Sequence, residues 1–150
     1  MKSNYLIDNK IGLLLWKTSI QWQKSLRTIL SKHSLTLNEF IILETLSFDE
    51  GNNVNQIYLS KSSGVNISVV STTLDILQKK SLIKRLPGND NRKKIIKLTE
   101  NAKSLLKKIL PNIYAIESNF FLKLGNEKNN FVNSIKLILG KKIRIKAEKK

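Results

Sequence analysis

The chain has 150 residues, a length for one domain, and with 41% hydrophobic and 25% charged residues it can build a core and is not a disordered tail. Its 27 Lys+Arg against 11 Asp+Glu give a formal net charge of +16, which argues for a polyanionic partner, either nucleic acid or an anionic membrane surface. The absence of cysteine and the presence of one histidine, His33, exclude disulfides, thiolate chemistry, Cys-ligated zinc and a His-pair metal site.

The crowding of Lys, Asn and Ile fits an AT-rich coding sequence, but that bias does not explain the scarcity of acids. The apolar run Leu13-Leu14-Leu15-Trp16 is too short for a membrane span or a signal-peptide core. The expectation is a cytoplasmic protein with no membrane partner. No catalytic residue is assigned: Glu39, Glu44, Asp49, Glu50 and His33 form no motif. No metal site and no cofactor are expected.

A first helix is predicted from Tyr5 to about Lys32. Ile7, Ile11, Leu14, Leu15, Trp22, Leu26 and Ile29 recur at three- and four-residue steps, and Leu6, Leu13 and Ile20 repeat on another face. Two apolar faces suit a helix packed both on its own domain and on a partner subunit. Gly12 inside this helix costs about 1 kcal/mol relative to alanine. Thr36 and Glu39 have capping-box spacing and start a second helix carrying Phe40, Ile41, Leu43 and Leu46. Residues 49–53 then form a loop.

Asn55 caps a short helix with Ile57 and Leu59. Ser62-Ser63-Gly64 ends it in a tight reversal, and Asn66 or Ser68 caps a longer helix burying Val70, Leu74 and Leu77 as far as about Lys80. Short helix, glycine turn and longer helix make a helix-turn-helix pattern. Two strands follow, over 81–86 and 93–98, joined by the turn-forming run 87–92. A helix-turn-helix followed by a basic hairpin is a winged helix.

Thr99 caps a fifth helix with Ala102, Leu105, Leu106, Ile109, Ile113, Ile116, Phe120 and Leu124 on one face. Pro111 is expected to interrupt and kink it. Gly125-Asn126 separates it from a last helix bearing Phe131, Ile135, Ile138 and Leu139, stopped by Gly140. Residues 141–150 hold six basic residues and one acid, either a solvated end or a second DNA contact.

The predicted fold is mainly α with a small β-hairpin wing: a winged helix-turn-helix of about six helices in a single domain. Residues 35–98 form the winged unit, 5–32 and 99–140 the dimerisation helices, and 141–150 a basic tail. Candidate DNA contacts are Asn66, Ser68, Val69, Ser71 and Thr72 on the longer helix, and Lys84, Asn89, Asp90, Arg92, Lys93 and Lys94 on the wing. Short hydroxyls can bond phosphates or base edges, Val69 can touch a thymine methyl, and Arg92 can enter a narrow minor groove. With no arginine on the helix, direct guanine readout is expected to be weak. Asp90 is expected to orient the Arg92 guanidinium. Candidate dimer contacts are Ile7, Ile11, Leu14, Phe120, Leu124, Phe131, Ile135 and Ile138. Trp16, Trp22, Phe121, Tyr114 and His33 are read as core or dimer residues.

The order of helices, and above all the wing from Leu82-Ile83-Lys84-Arg85 through Asp90-Asn91-Arg92 to Ile96-Lys97-Leu98-Thr99-Glu100, resembles the MarR family of transcriptional regulators. Thr73 to Lys80 is similar to the end of that family's recognition helix. Thr72 stands where many members carry arginine, and Ser81 replaces the usual glycine. The resemblance implies a bacterial or archaeal homodimer on double-stranded DNA, a repressor released by a small aromatic or anionic effector. The alternative is an architectural DNA-binding protein with little sequence specificity.

Overall fold

The computed structural model describes residues 10–90 and 92–143. Ile7 and the other residues before Lys10, Asn91, and the tail from Arg144 lie outside the described residues. Among the described residues six α-helices and one hairpin follow in order: α1 (Ile11–Leu30), α2 (Leu37–Phe48), α3 (Gln56–Ser63), α4 (Ile67–Lys79), β1 (Ile83–Pro87), β2 (Lys94–Leu98), α5 (Glu100–Phe120) and α6 (Lys128–Ile138). The strands are antiparallel, from Ile83 opposite Leu98 to Pro87 opposite Lys94. The Ile96 amide also donates to the Val54 carbonyl at 2.8 Å, which ties the wing to the segment entering α3.

Local chemistry sets most helix starts. The Thr36 amide donates to Glu39 Oε2 at 2.8 Å and the Glu39 amide to Thr36 Oγ1 at 3.2 Å, a complete capping box. Asn55 and Thr99 cap α3 and α5 as expected, and of the two candidates for α4 it is Asn66 that accepts from the Ser68 amide. Gly64 ends α3 with φ 75°, the left-handed conformation that glycine adopts without strain. The core is one cluster, in which Leu26 and Leu30 of α1 meet Ile42 and Leu43 of α2, Leu59 of α3, Val70, Leu74 and Leu77 of α4 and Ile109 of α5.

Several expectations are corrected. Among the described residues the first helix begins at Ile11, because Lys10 is extended, and the predicted stretch over 5–9 lies outside them. Gly12 therefore lies in the first turn, where its amide would be unpaired in any case and the interior penalty does not apply. The strands start one or two residues later than predicted, since residues 81–82 close the turn after α4. Helix α5 runs uninterrupted through Pro111. Ile109 and Ile113 are buried on either side of the proline, while Pro111 and Lys107 are exposed. The Lys107 carbonyl that loses its partner thus lies where water can reach it.

Ser81 has φ 58°, and the Leu82 amide donates to the Leu77 carbonyl across it, the geometry of a Schellman helix end. A non-glycine residue pays steric strain there. Ser81→Gly should raise the free energy of unfolding by about 0.5–1 kcal/mol, less than the full strain because glycine also loosens the unfolded chain. Denaturant midpoints check this. A fall in stability would mean that the serine hydroxyl holds the turn.

Helix α1 is half committed to the core. Trp22 packs on it and donates through Nε1 to Glu117 Oε2 at 2.6 Å, joining α1 to α5. Glu44 of α2 sits at the same junction, where burial and the Glu117 charge raise its carboxyl above the ordinary value. By contrast, residues 11–17 of α1 are all exposed, including Ile11, Leu14 and Trp16. Helix α6 has no buried residue: Phe131 and Ile135 are half-covered, and Val132, Leu137, Ile138 and Leu139 are exposed. Phe121 bridges toward this helix, with ring centroids 4.9 Å from Phe120 and 6.1 Å from Phe131. Phe120 and Leu124 are likewise half-buried.

Candidate nucleic-acid interface

Helix α4 buries Val70, Thr73, Leu74 and Leu77 and turns the rest of its surface outward. Ser68, Val69 and Thr72 are exposed on its first two turns, Ser71 is half-buried, and Asn66 is exposed at the cap. Two of the hydroxyls are already committed as donors. Ser68 Oγ donates to Asn66 Oδ1 at 2.8 Å, and Thr72 Oγ1 donates to the Ser68 carbonyl at 3.1 Å. Each can still accept a hydrogen bond.

The wing stands beside this helix. Its turn is closed by the Gly88 amide, which donates to the Lys93 carbonyl at 3.1 Å. A Cβ at Gly88 would lie 2.4 Å from that same backbone oxygen, so no other residue fits without moving the turn. Asn89, Asp90, Arg92 and Lys93 are exposed around the tip, and Lys94 opens β2. The Asp90 carboxylate accepts from the Arg92 backbone amide at 3.2 Å. It therefore shapes the turn and does not, as expected, clamp the guanidinium. Only a two-residue separation was visible in the sequence, and that separation suits an Asx-type turn better than a side-chain pair.

The basic cluster divides in two. Arg85 Nη1 donates to Asp75 Oδ1 at 2.8 Å and to Gln78 Oε1 at 3.0 Å, bracing the wing against α4. Lys80 Nζ pairs with the buried Glu39, and Lys97 Nζ donates to the Asn52 carbonyl at 2.9 Å. Among the described residues, Lys79, Lys84, Arg92, Lys93 and Lys94 have no ion-pair partner. Strand alternation carries a signal for this division: Lys84 and Arg85 point to opposite faces, and Arg85 lies opposite the buried Ile96.

Gln56 and Ile57 of α3 were missed from the sequence. With Ile67 of α4, Arg92, Lys93 and Ile96, they line a cleft of about 420 Å³ between the helix-turn-helix and the wing. Ile57 and Leu59, two residues apart on one helix, cannot share its buried face, and that spacing is the signal that could have found it. The face as a whole offers a row of cations without ion-pair partners among the described residues beside the uncharged first two turns of α4, a chemistry that suits phosphates and base edges.

A model of the MarR family matches residues 35–95, from the turn before α2 to the middle of β2. The HTH-type transcriptional regulator SarZ of Staphylococcus haemolyticus is 28% identical over 143 residues, covering 93% of this chain and 92% of its own. Among solved structures, the S. aureus MepR–DNA complex matches with a TM-score of 0.79 at 21% identity, over 87% of this chain and 97% of that one. Bordetella bronchiseptica BpsR, described with the regulation of its DNA binding by 6-hydroxynicotinic acid, matches with a TM-score of 0.79 at 19% identity, over 88% and 95%.

Proposed function

We propose that the chain is a regulator of the MarR family, to which residues 35–95 are similar, and that it is a dimeric, sequence-specific regulator of transcription on double-stranded DNA, acting as a repressor in the cytoplasm. The observation that carries this reading is the placement of the exposed, uncharged first two turns of α4 beside Arg92, Lys93 and Lys94. Helix α4 enters the major groove, and the wing cations take the flanking phosphates and the adjacent minor groove.

Dimerisation uses the surfaces left uncovered in the protomer: the first half of α1 with Ile11, Leu14 and Trp16, and α6 with Phe131, Ile135 and Ile138. Apolar faces of that extent are seldom left in water. A two-fold axis then sets two α4 helices against half-sites about one helical turn apart. Among the described residues no helix is long and apolar enough to cross a membrane, and no enzymatic role is proposed.

Release by an effector belongs to the same proposal. The cleft beside the wing combines apolar walls, Ile57, Ile67 and Ile96, with Arg92, Lys93 and Lys94 at its rim. That chemistry suits a small aromatic anion, which would compete with DNA for the same cations.

Affinity for the promoter of a regulated gene compared with random duplex tests the reading. At physiological salt, regulation requires a preference of about 10³ or more. A ratio near one would instead make the protein an architectural DNA binder.

A further inference from the structure

We propose that α4 reads A·T pairs in the major groove through thymine methyls, with Val69 as the residue that sets this preference. The inference rests on the DNA-binding reading above and concerns what that surface can recognise.

Each base pair presents a distinct pattern in the major groove. Guanine shows two acceptors, O6 and N7, and its strongest reader is an arginine or lysine giving two donors at once. The exposed surface of the first two turns of α4 has no such group. Ile67, Ser68, Val69, Ser71 and Thr72 are all uncharged, and the nearest cation on the helix without an ion-pair partner, Lys79, lies about 16 Å along the axis from Ser68. Arg85, the arginine nearest α4, is held by Asp75 and Gln78. The Ser68 and Thr72 hydroxyl protons are committed within the chain. Asn66 Nδ2 and the Ser71 hydroxyl each supply a single donor, not the parallel pair that guanine rewards.

What the surface does offer is apolar carbon and hydroxyl acceptors. Ile67 is 46% and Val69 37% exposed, although both are large aliphatic side chains in a chain with ample core. The Thr72 hydroxyl proton is turned back to the Ser68 carbonyl, so that side chain has its methyl and the acceptor side of its oxygen left uncommitted. Thymine alone carries a methyl in this groove, and its partner adenine presents the N6 donor that a hydroxyl oxygen can accept. Both members of an A·T pair therefore find matching chemistry, whereas the two acceptors of guanine find no paired donor.

The experiment selects duplexes from a random library with the full-length protein, then alters the tightest binder. Half-sites rich in A·T at the α4 positions are expected. Replacing the contacted thymine by deoxyuridine removes one methyl and no hydrogen bond, and should weaken wild-type binding about threefold to fivefold. Val69→Ala, an exposed change to a strong helix former, should bind the thymine and uracil duplexes within about twofold of each other. Replacing A·T by inosine·cytosine presents the G·C pattern in the major groove while keeping the A·T minor groove, and should also weaken binding. The proposal is overturned if selected half-sites carry G·C at these positions, or if uracil and inosine duplexes bind as well as the parent, which would place the readout in minor-groove shape. A library yielding no duplex tighter than random would overturn the regulator reading itself, whereas a tight G·C-rich site would overturn this inference alone.

Discussion

Raising salt from 50 to 200 mM should weaken DNA binding by about 10³ or more, with log K falling against log salt at a slope of about −5 to −9 per dimer. Each protomer presents Lys79, Lys84, Arg92, Lys93 and Lys94 without an ion-pair partner among the described residues, so a dimer can neutralise about six to ten phosphates. Two substitutions separate charge from geometry. Lys93→Ala removes a point charge, so it should weaken all duplexes alike and flatten the slope by about one. Arg92→Ala should weaken the selected operator by about 1–3 kcal/mol and random duplex by less, without lowering the thermal midpoint. Arg92→Lys should recover part of that loss, because an ammonium cannot reproduce the planar fork. Filter binding or anisotropy over a salt series gives both numbers. A slope shallower than about −2, or equal losses on operator and random DNA for both alanine variants, would reduce Arg92 to another surface charge.

Lys80→Met should lower the free energy of unfolding by about 2 kcal/mol, near 4–8 °C in thermal midpoint for a chain of this length. Glu39 is 2% exposed, and both its carboxylate oxygens lie within 3.0 Å of Lys80 Nζ. Removing the ammonium leaves a buried charge supported by the Thr36 amide alone. Breaking a fully buried pair costs about 3–5 kcal/mol, and the smaller figure here reflects a Lys80 side chain that is 35% exposed, so that water reaches the pair. Glu39→Gln placed on top of Lys80→Met should restore most of the loss, since a neutral amide still accepts from Thr36 and leaves no charge unpaired. Denaturant unfolding of both variants measures this. A double variant as unstable as the single one would assign the effect to the lost hydrogen bond from Lys80 Nζ to the Ser34 carbonyl. Operator affinity well below the midpoint should barely change, because the pair fastens α2 to the end of α4 away from the exposed helix surface.

How much of this was legible beforehand depends on the reach of each interaction. The Thr36–Glu39 box, the Asn55, Asn66 and Thr99 caps, the Gly64 reversal and the hairpin are all written in residues two to five apart. The periodicity of apolar residues gave six helices and most of the core without reference to any neighbour. The sequence by itself therefore determined the winged architecture and the general place of its basic surface. The fates of individual charged and apolar groups were settled by packing. Lys80 meets Glu39 across 41 residues, and Arg85 meets Asp75 and Gln78 across a strand and a turn. In composition these cations look no different from Lys84 or Lys93. Pro111 carries a local rule that predicts a break, yet α5 continues because burial on both sides of the proline outweighs one missing backbone bond. The same holds for the apolar stripes of α1 and α6, whose periodicity is that of any buried face: only the arrangement of the other helices decides that half of α1 is covered within the protomer and that α6 is left outside it, since burial is a property of what packs against a helix and not of the helix itself.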